Sequence, residues 1–212
     1  MPDKAAALIE AARALDALGF MPSKSGNLSV RTGRGCLITP AGLPYAETTA
    51  ADLVEIDLAG EVLAGHRRPS SEWRLHAAVY AARPEAGAVV HTHSPCATAL
   101  SCARQGLPPF HYMIALGGGG DIRCSGYATF GTEELAAACI AALEGRKAAL
   151  LANHGAVAFG RTLAGARTLA MEVENLARQY LALRAAGLAP VLLDAAELAA
   201  VFAQFGGYGR LD

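Results

Sequence analysis

The chain has 212 residues, a formal net charge of −1 and 53% hydrophobic residues. That length buries a core without disulfides. The near-zero charge argues against nonspecific nucleic-acid binding, and 17% charged residues argue against disorder. About a fifth of the residues are alanine, a helix former with little transfer energy, so the positive mean hydropathy does not imply a membrane protein. The longest uncharged stretch, 86–103, holds two histidines, a proline and several hydroxyls, which rules out a transmembrane helix. The five cysteines, Cys36, Cys96, Cys102, Cys124 and Cys139, are odd in number and lack CxxC spacing. No charged segment followed by an apolar run opens the chain. Reduced thiols, each a small buried hydrophobe, in a cytoplasmic protein are expected.

In chain order, Asp3 can cap a helix over 4–18 that Gly19 stops, with Leu8, Ala12, Leu15 and Leu18 on one face. Leu28–Arg31 and Cys36–Ile38 read as a hairpin through Gly33-Arg34-Gly35. A strand over 53–57 turns at Ala59-Gly60. Ser70 or Ser71 can cap a helix over 72–82, ended before Pro84. Ala88–His93 is a strand of small and β-branched residues, followed by a helix with Ser94 as N-cap and Pro95 at its first position. Met113–Leu116 reads as a strand before the glycine run 117–120, itself a turn because it lacks phosphate-loop spacing. Thr132 caps a helix to Leu143. Strands over 148–152 and 156–159 flank His154-Gly155, and helices over 163–186 and 194–204 close the chain. Strands and helices interleave with hairpins and without a linker. One α/β domain over 1–212 is expected, its central mostly antiparallel or mixed sheet flanked by helices.

Three features carry chemistry. His91-Thr92-His93 places two imidazoles on one strand face, with Cα atoms about 6.6 Å apart. They can converge on one metal, or be hydrogen-bonded histidines at a polar strand end. His154 also ends an apolar strand, and three histidines would leave a metal position open for chemistry. Gly155 permits an unusual turn or a close approach. Glu72 lies beside Ser70 and Ser71. An acid there is favoured by a helix dipole, yet paired hydroxyls at a helix start make an anion site. The acid must then face something else, such as a metal or a substrate proton. Lys24-Ser25-Gly26-Asn27 and Thr39-Pro40-Ala41-Gly42 are further anion-binding candidates, or simply turns.

The segments SGNLSVR (25–31), LITPAGLPY (37–45), PSSEWRLH (69–76), VVHTHS (89–94), HYMIALGGG (111–119), YATFGT (127–132), LLANHG (150–155) and GGYG (206–209) together resemble the class II aldolase/adducin family. The resemblance implies that His91, His93 and His154 bind one zinc ion, with Glu72 as a fourth ligand. It implies that Gly26, Asn27, Ala41, Gly42, Ser70 and Ser71 hold a substrate phosphate. It makes Glu72 the acid/base at the carbon that exchanges a proton and Tyr112 an acid/base at the substrate oxygens, while Phe130 and Tyr208 shape the pocket for the aldehyde. It implies a homotetramer with sites between neighbouring subunits, and no nucleic-acid or membrane partner. The implied reaction is metal-dependent cleavage of a ketose 1-phosphate, such as L-fuculose 1-phosphate, through a metal-stabilised enediolate. The products are dihydroxyacetone phosphate and an aldehyde. No lysine Schiff base is needed, and Lys4, Lys24 and Lys147 are the only lysines. Two positions depart from the family pattern. Ala41 stands where Ser or Thr is usual, and Ser23-Lys24-Ser25 replaces a Gly-Thr-Ser or Gly-Thr-Ala run, so Lys24 would exchange a lost hydroxyl donor for a charge. The alternatives within the family are a 3-oxo-tetronate 4-phosphate decarboxylase and a non-catalytic adducin-like module. His76 and Trp73 read as locally packed or bonded, and His66-Arg67-Arg68 as a solvated turn.

Overall fold

A computed structural model describes residues 2–207. Its centre is one eight-stranded sheet built from β1 (Asn27–Arg31), β2 (Cys36–Ile38), β3 (Val54–Ile56), β4 (Val62–Ala64), β5 (Ala88–Thr92), β6 (Arg123–Cys124), β7 (Ala148–Leu151) and β8 (Gly155–Gly160). The spatial order is β4-β3-β2-β1-β5-β8-β7-β6. Every described pairing is antiparallel except β6 with β7, so the sheet is mixed, as expected. The helices are α1 (Pro2–Ala17), α2 (Trp73–Ala82), α3 (Pro95–Cys102), α4 (Glu133–Ala142), α5 (Leu163–Ala185) and α6 (Ala195–Gly207). None of the described helices is long and apolar enough to cross a membrane.

Strand alternation divides the core in two. Leu28, Val30, Val90, Leu150 and Ala158 meet α1, α3 and α5 on one face. Cys36, Ile38, Val89, Leu151 and Phe159 meet α2 and α4 on the other. The many alanines let helices and sheet approach closely. Asn27, Ser29 and His91 fall on the α2 face, because Asn27 pairs with His91 and Ser29 with Val89 in one antiparallel register.

Several local expectations need correction. Leu18 is 52% exposed, because α1 ends at Ala17 and Gly19, at φ 76°, turns the chain. The segment read as a strand at 113–116 is a 3₁₀ helix, Tyr112–Gly117. Four apolar residues are too few for period to separate strand from helix. Here the His111 imidazole accepts from Met113 N at 3.2 Å, and Gly118, in the left-handed region, ends the turn. The short strands β4 and β6 carry no alternation long enough to announce them. Cys36 and Cys139 are fully buried, whereas Cys102 is exposed; all five thiols are free.

Helix α3 is capped from a distance. Ser94 occupies its N-cap position, but its hydroxyl makes no cap bond. The buried Glu174 carboxylate of α5 accepts instead from Cys96 N at 3.0 Å and Ala97 N at 2.8 Å. A carboxylate at a helix N-terminus satisfies unpaired N–H groups and the dipole together. We expect Glu174→Ala to lower the unfolding free energy by about 2 kcal/mol, read from urea denaturation. An unchanged midpoint would mean that the carboxylate does not stabilise the helix start.

Candidate active site

Four side chains from three parts of the fold converge beside the edge of the α2 face. His91 is the penultimate residue of β5, and His93 follows the strand's last residue, Thr92. His154 lies in the three-residue turn 152–154, between β7 and β8. Glu72, expected as the first helical residue, is instead the N-cap of α2, which starts at Trp73. Ser70 Oγ accepts from Glu72 N at 3.3 Å, so this serine braces the helix entry without being its N-cap. A side chain at Gly155 would meet Thr92 O at 2.3 Å and the His93 ring at 3.2 Å. Glycine is therefore required there for close approach.

The potential ligand atoms of Glu72, His91, His93 and His154 all lie within 4.8 Å of one another. His91 Nδ1 donates to Ala156 O at 2.9 Å, which turns Nε2 toward the cluster. That Nε2 stands 2.7 Å from Glu72 Oε2 and 3.0 Å from His93 Nε2. His154 Nε2 is 3.5 Å from Glu72 Oε1, an oxygen that is buried and makes no hydrogen bond. Three imidazole nitrogens and a carboxylate that converge this closely could hold a metal ion among them. Burial and the neighbouring His91 and His154 charges hold His93 down to about 3. Burial and His91 hold His154 down to about 4, so both offer lone pairs at neutral pH. Burial pushes the Glu72 carboxyl upward, but the His91 charge and hydrogen bond outweigh it and hold it below the usual carboxylate range. This donor set fits a divalent metal of the zinc type, bound by neutral imidazoles and a carboxylate.

The cluster opens into a cleft of about 440 Å³. Every residue expected to hold phosphate or aldehyde in this part of the chain lines it: Lys24, Gly26, Asn27, Ala41, Gly42, Ser70, Ser71 and Phe130. The 23–26 loop is held open by unusual backbone, with Ser23, Lys24 and Gly26 all at positive φ. A Cβ on Gly26 would stand 2.4 Å from Met21 Sδ and 2.8 Å from His91 O. Tyr45 Oη donates to Gly26 O at 2.7 Å and pins the loop from below. Ser70 N donates to Thr39 O, and Ala41 N to Arg68 O, which zips the 39–42 loop to the entry of α2. Ser70 and Asn27 are buried, Ser71 and Lys24 exposed. The cleft thus joins the N-terminus of α2, hydroxyl and amide donors and one lysine on one wall, an arrangement that favours an anion. Glu72 does not spoil it, because its carboxylate points at the histidines.

Among the described residues, one expected site residue is not brought here. Tyr112 is 53% exposed and lies outside the cleft, stacked on His111 and Phe205 over a separate groove. Tyr208 lies outside the described residues. Conversely, Tyr127, Thr129 and Asn153 line the cleft and were not singled out from the sequence. Asn153 immediately precedes His154, and Tyr127 and Thr129 lie three and one residues before Phe130, so each has a named site residue as its signal.

The family model of the class II aldolase and adducin N-terminal domain matches residues 6–181. The chain is 53% identical over 203 residues to the 5-methylthioribulose-1-phosphate/5-deoxyribulose-1-phosphate aldolase of Rhodospirillum rubrum, covering 95% of this chain and 90% of that protein. It is 45% identical to the L-fuculose phosphate aldolase of Escherichia coli, covering 95% and 94%. A solved L-fuculose 1-phosphate aldolase superposes with a TM-score of 0.93 at 38% identity, over 97% of each chain.

Proposed function

Because the chain belongs to the class II aldolase and adducin family, and is a lyase acting on sugar phosphates, we propose that it cleaves a ketose 1-phosphate between C3 and C4. The products are dihydroxyacetone phosphate and a short aldehyde with an apolar tip. The observation that carries this reading is the junction of the Glu72–His91–His93–His154 cluster with an anion-binding wall in one cleft. The sugars in the relatives' names end in a methyl or methylthio group. Tyr127, Ala128 and Phe130, at the cleft rim, offer apolar surface to such an end.

One zinc ion held by His91, His93, His154 and Glu72 would supply a Lewis acid at the ketose C2 carbonyl and C3 hydroxyl. The phosphate would take its donors from Asn27, Ser70, Ser71 and the start of α2, with Lys24 as the counter-charge. Glu72, freed from the cluster when substrate binds, would deliver a proton to C3 once the C3–C4 bond has broken, balancing the proton that the C4 hydroxyl gives up as the aldehyde forms. Tyr112 does not line its own chain's cleft. In a homotetramer a neighbouring copy's Tyr112 would reach the leaving aldehyde oxygen, with the tail around Tyr208 closing over it. Free thiols throughout fit a reducing, cytoplasmic setting.

Side-by-side incubation with 5-deoxyribulose 1-phosphate, L-fuculose 1-phosphate and a 3-oxo-tetronate 4-phosphate tests this. Dihydroxyacetone phosphate from either ketose supports the reading. Carbon dioxide from the third compound alone would replace it with decarboxylation. Ser71→Ala should raise KM for the phosphorylated ketose by about tenfold, the worth of one charge-assisted hydrogen bond, with little change in kcat. An unchanged KM would remove this hydroxyl from the phosphate site.

A further inference from the structure

Behind the anion wall runs a buried chain of polar groups that the chemistry above does not use. His76 is fully buried on α2. Its Nε2 lies 2.5 Å from Asn27 Oδ1 and its Nδ1 2.6 Å from Ser29 Oγ. Ser29 Oγ lies 2.7 Å from Tyr80 Oη. The arrangement follows from two periodicities. Asn27 and Ser29 share one face of β1, and His76 and Tyr80 sit one helical turn apart on α2.

The geometry points to His76 as a positioning residue that sets which end of the Asn27 carboxamide faces the cleft. A carboxamide has one donor end and one acceptor end. Asn27 Nδ2 lies 3.5 Å from Glu72 Oε2. With the amide reversed, its oxygen would face that carboxylate, and the cleft's anion site would lose a donor. The oxygen must therefore face inward, where His76 Nε2 has to supply a proton. His76 Nδ1 is then an acceptor and takes the Ser29 hydroxyl proton, and Ser29 Oγ in turn accepts from Tyr80 O–H. Each group donates once, and always toward the cleft. Burial and the His91 charge hold His76 down to about 3, so the ring carries one proton and cannot donate from both nitrogens. The expected benefit is pre-organisation, since Asn27 presents its N–H groups without having to turn when an anion arrives.

The functional part of this inference rests on the reading that the cleft takes a phosphate, and the test separates the two. Long-range ¹H–¹⁵N spectra of the labelled, metal-loaded protein read the tautomer of His76 directly, with the signal assigned by its loss in His76→Gln. The inference requires the Nε2–H form near neutral pH. The Nδ1–H form would overturn it, whatever the cleft binds. Binding is then compared for dihydroxyacetone phosphate and dihydroxyacetone. Glutamine can place an amide N–H where the imidazole Nε2–H stands, so His76→Gln should hold the phosphorylated ligand nearly as well as wild type. His76→Leu should weaken it by about ten- to a hundredfold, while leaving dihydroxyacetone unchanged. Equal loss for both ligands, or no loss in the leucine variant, would contradict the positioning role. If wild type does not prefer the phosphorylated ligand, the phosphate reading fails, and the tautomer alone decides the part played by His76.

Discussion

Glu72→Gln should keep its metal and its substrate affinity while kcat falls by about 10²–10⁴-fold, the usual worth of a positioned acid/base. Glutamine keeps the size of the side chain and its hydrogen bonds near His91, but it cannot hold a proton for delivery to carbon. Three imidazoles remain to bind the ion, and three protein ligands suffice for a catalytic zinc. The carboxylate is suited to this work by its surroundings. It is buried, it lies 2.7 Å from His91 Nε2, and one of its oxygens has no hydrogen bond. Such an oxygen can turn toward a substrate carbon without giving up a bond. Deuterium uptake at C3 of dihydroxyacetone phosphate, followed by NMR without any aldehyde present, isolates the step. Wild-type exchange in the glutamine variant would remove Glu72 from proton transfer and leave Tyr112 as the next candidate.

His154→Ala should cost the protein its metal and nearly all of its activity. Loss of an outer-sphere partner typically weakens a metal site about 10–100-fold, and loss of a direct ligand should exceed that. His154 serves as the test residue because it sits in a turn rather than in the sheet. Its removal leaves β7 and β8 paired through Leu151 and Gly155. His91→Ala should also lose metal, but it opens a void in a fully buried position and so should also lower the melting temperature. Metal content by mass spectrometry after desalting decides the matter. Full occupancy in both variants would mean that the cluster does not hold the ion.

The sequence carries the ligand set more plainly than it carries the fold's details. His91 and His93 declare a shared strand face through their spacing, and His154-Gly155 follows a purely apolar strand. The sequence also placed α4, by its Thr132 cap, and the helices α5 and α6, whose caps only the structure shows. Thr132 and Thr162 accept from Leu135 N and Gly165 N, and Asp194 and Glu197 form a reciprocal cap at the start of α6. What stayed hidden depends on residues distant in the chain. Glu174 caps a helix that begins 79 positions earlier, and no local pattern at Ser94 reveals it. His76 read as a packed histidine because its partners, Asn27 and Ser29, lie on the first strand. The run Met113–Leu116 beside Tyr112 reads as a strand, since a short apolar run takes its form from packing and from the His111 cap. That Tyr112 lines a groove other than the cleft is a property of the folded chain alone.

Metal-dependent carbon–carbon cleavage is reached directly by one measurement. The enzyme is incubated with 5-deoxyribulose 1-phosphate and its products are followed by NMR, as loaded with zinc, after chelation with verified metal removal, and after zinc is restored. Metal dependence requires equimolar dihydroxyacetone phosphate and acetaldehyde from the loaded enzyme, none after chelation, and recovery on reloading. Undiminished cleavage by the metal-free enzyme would contradict it.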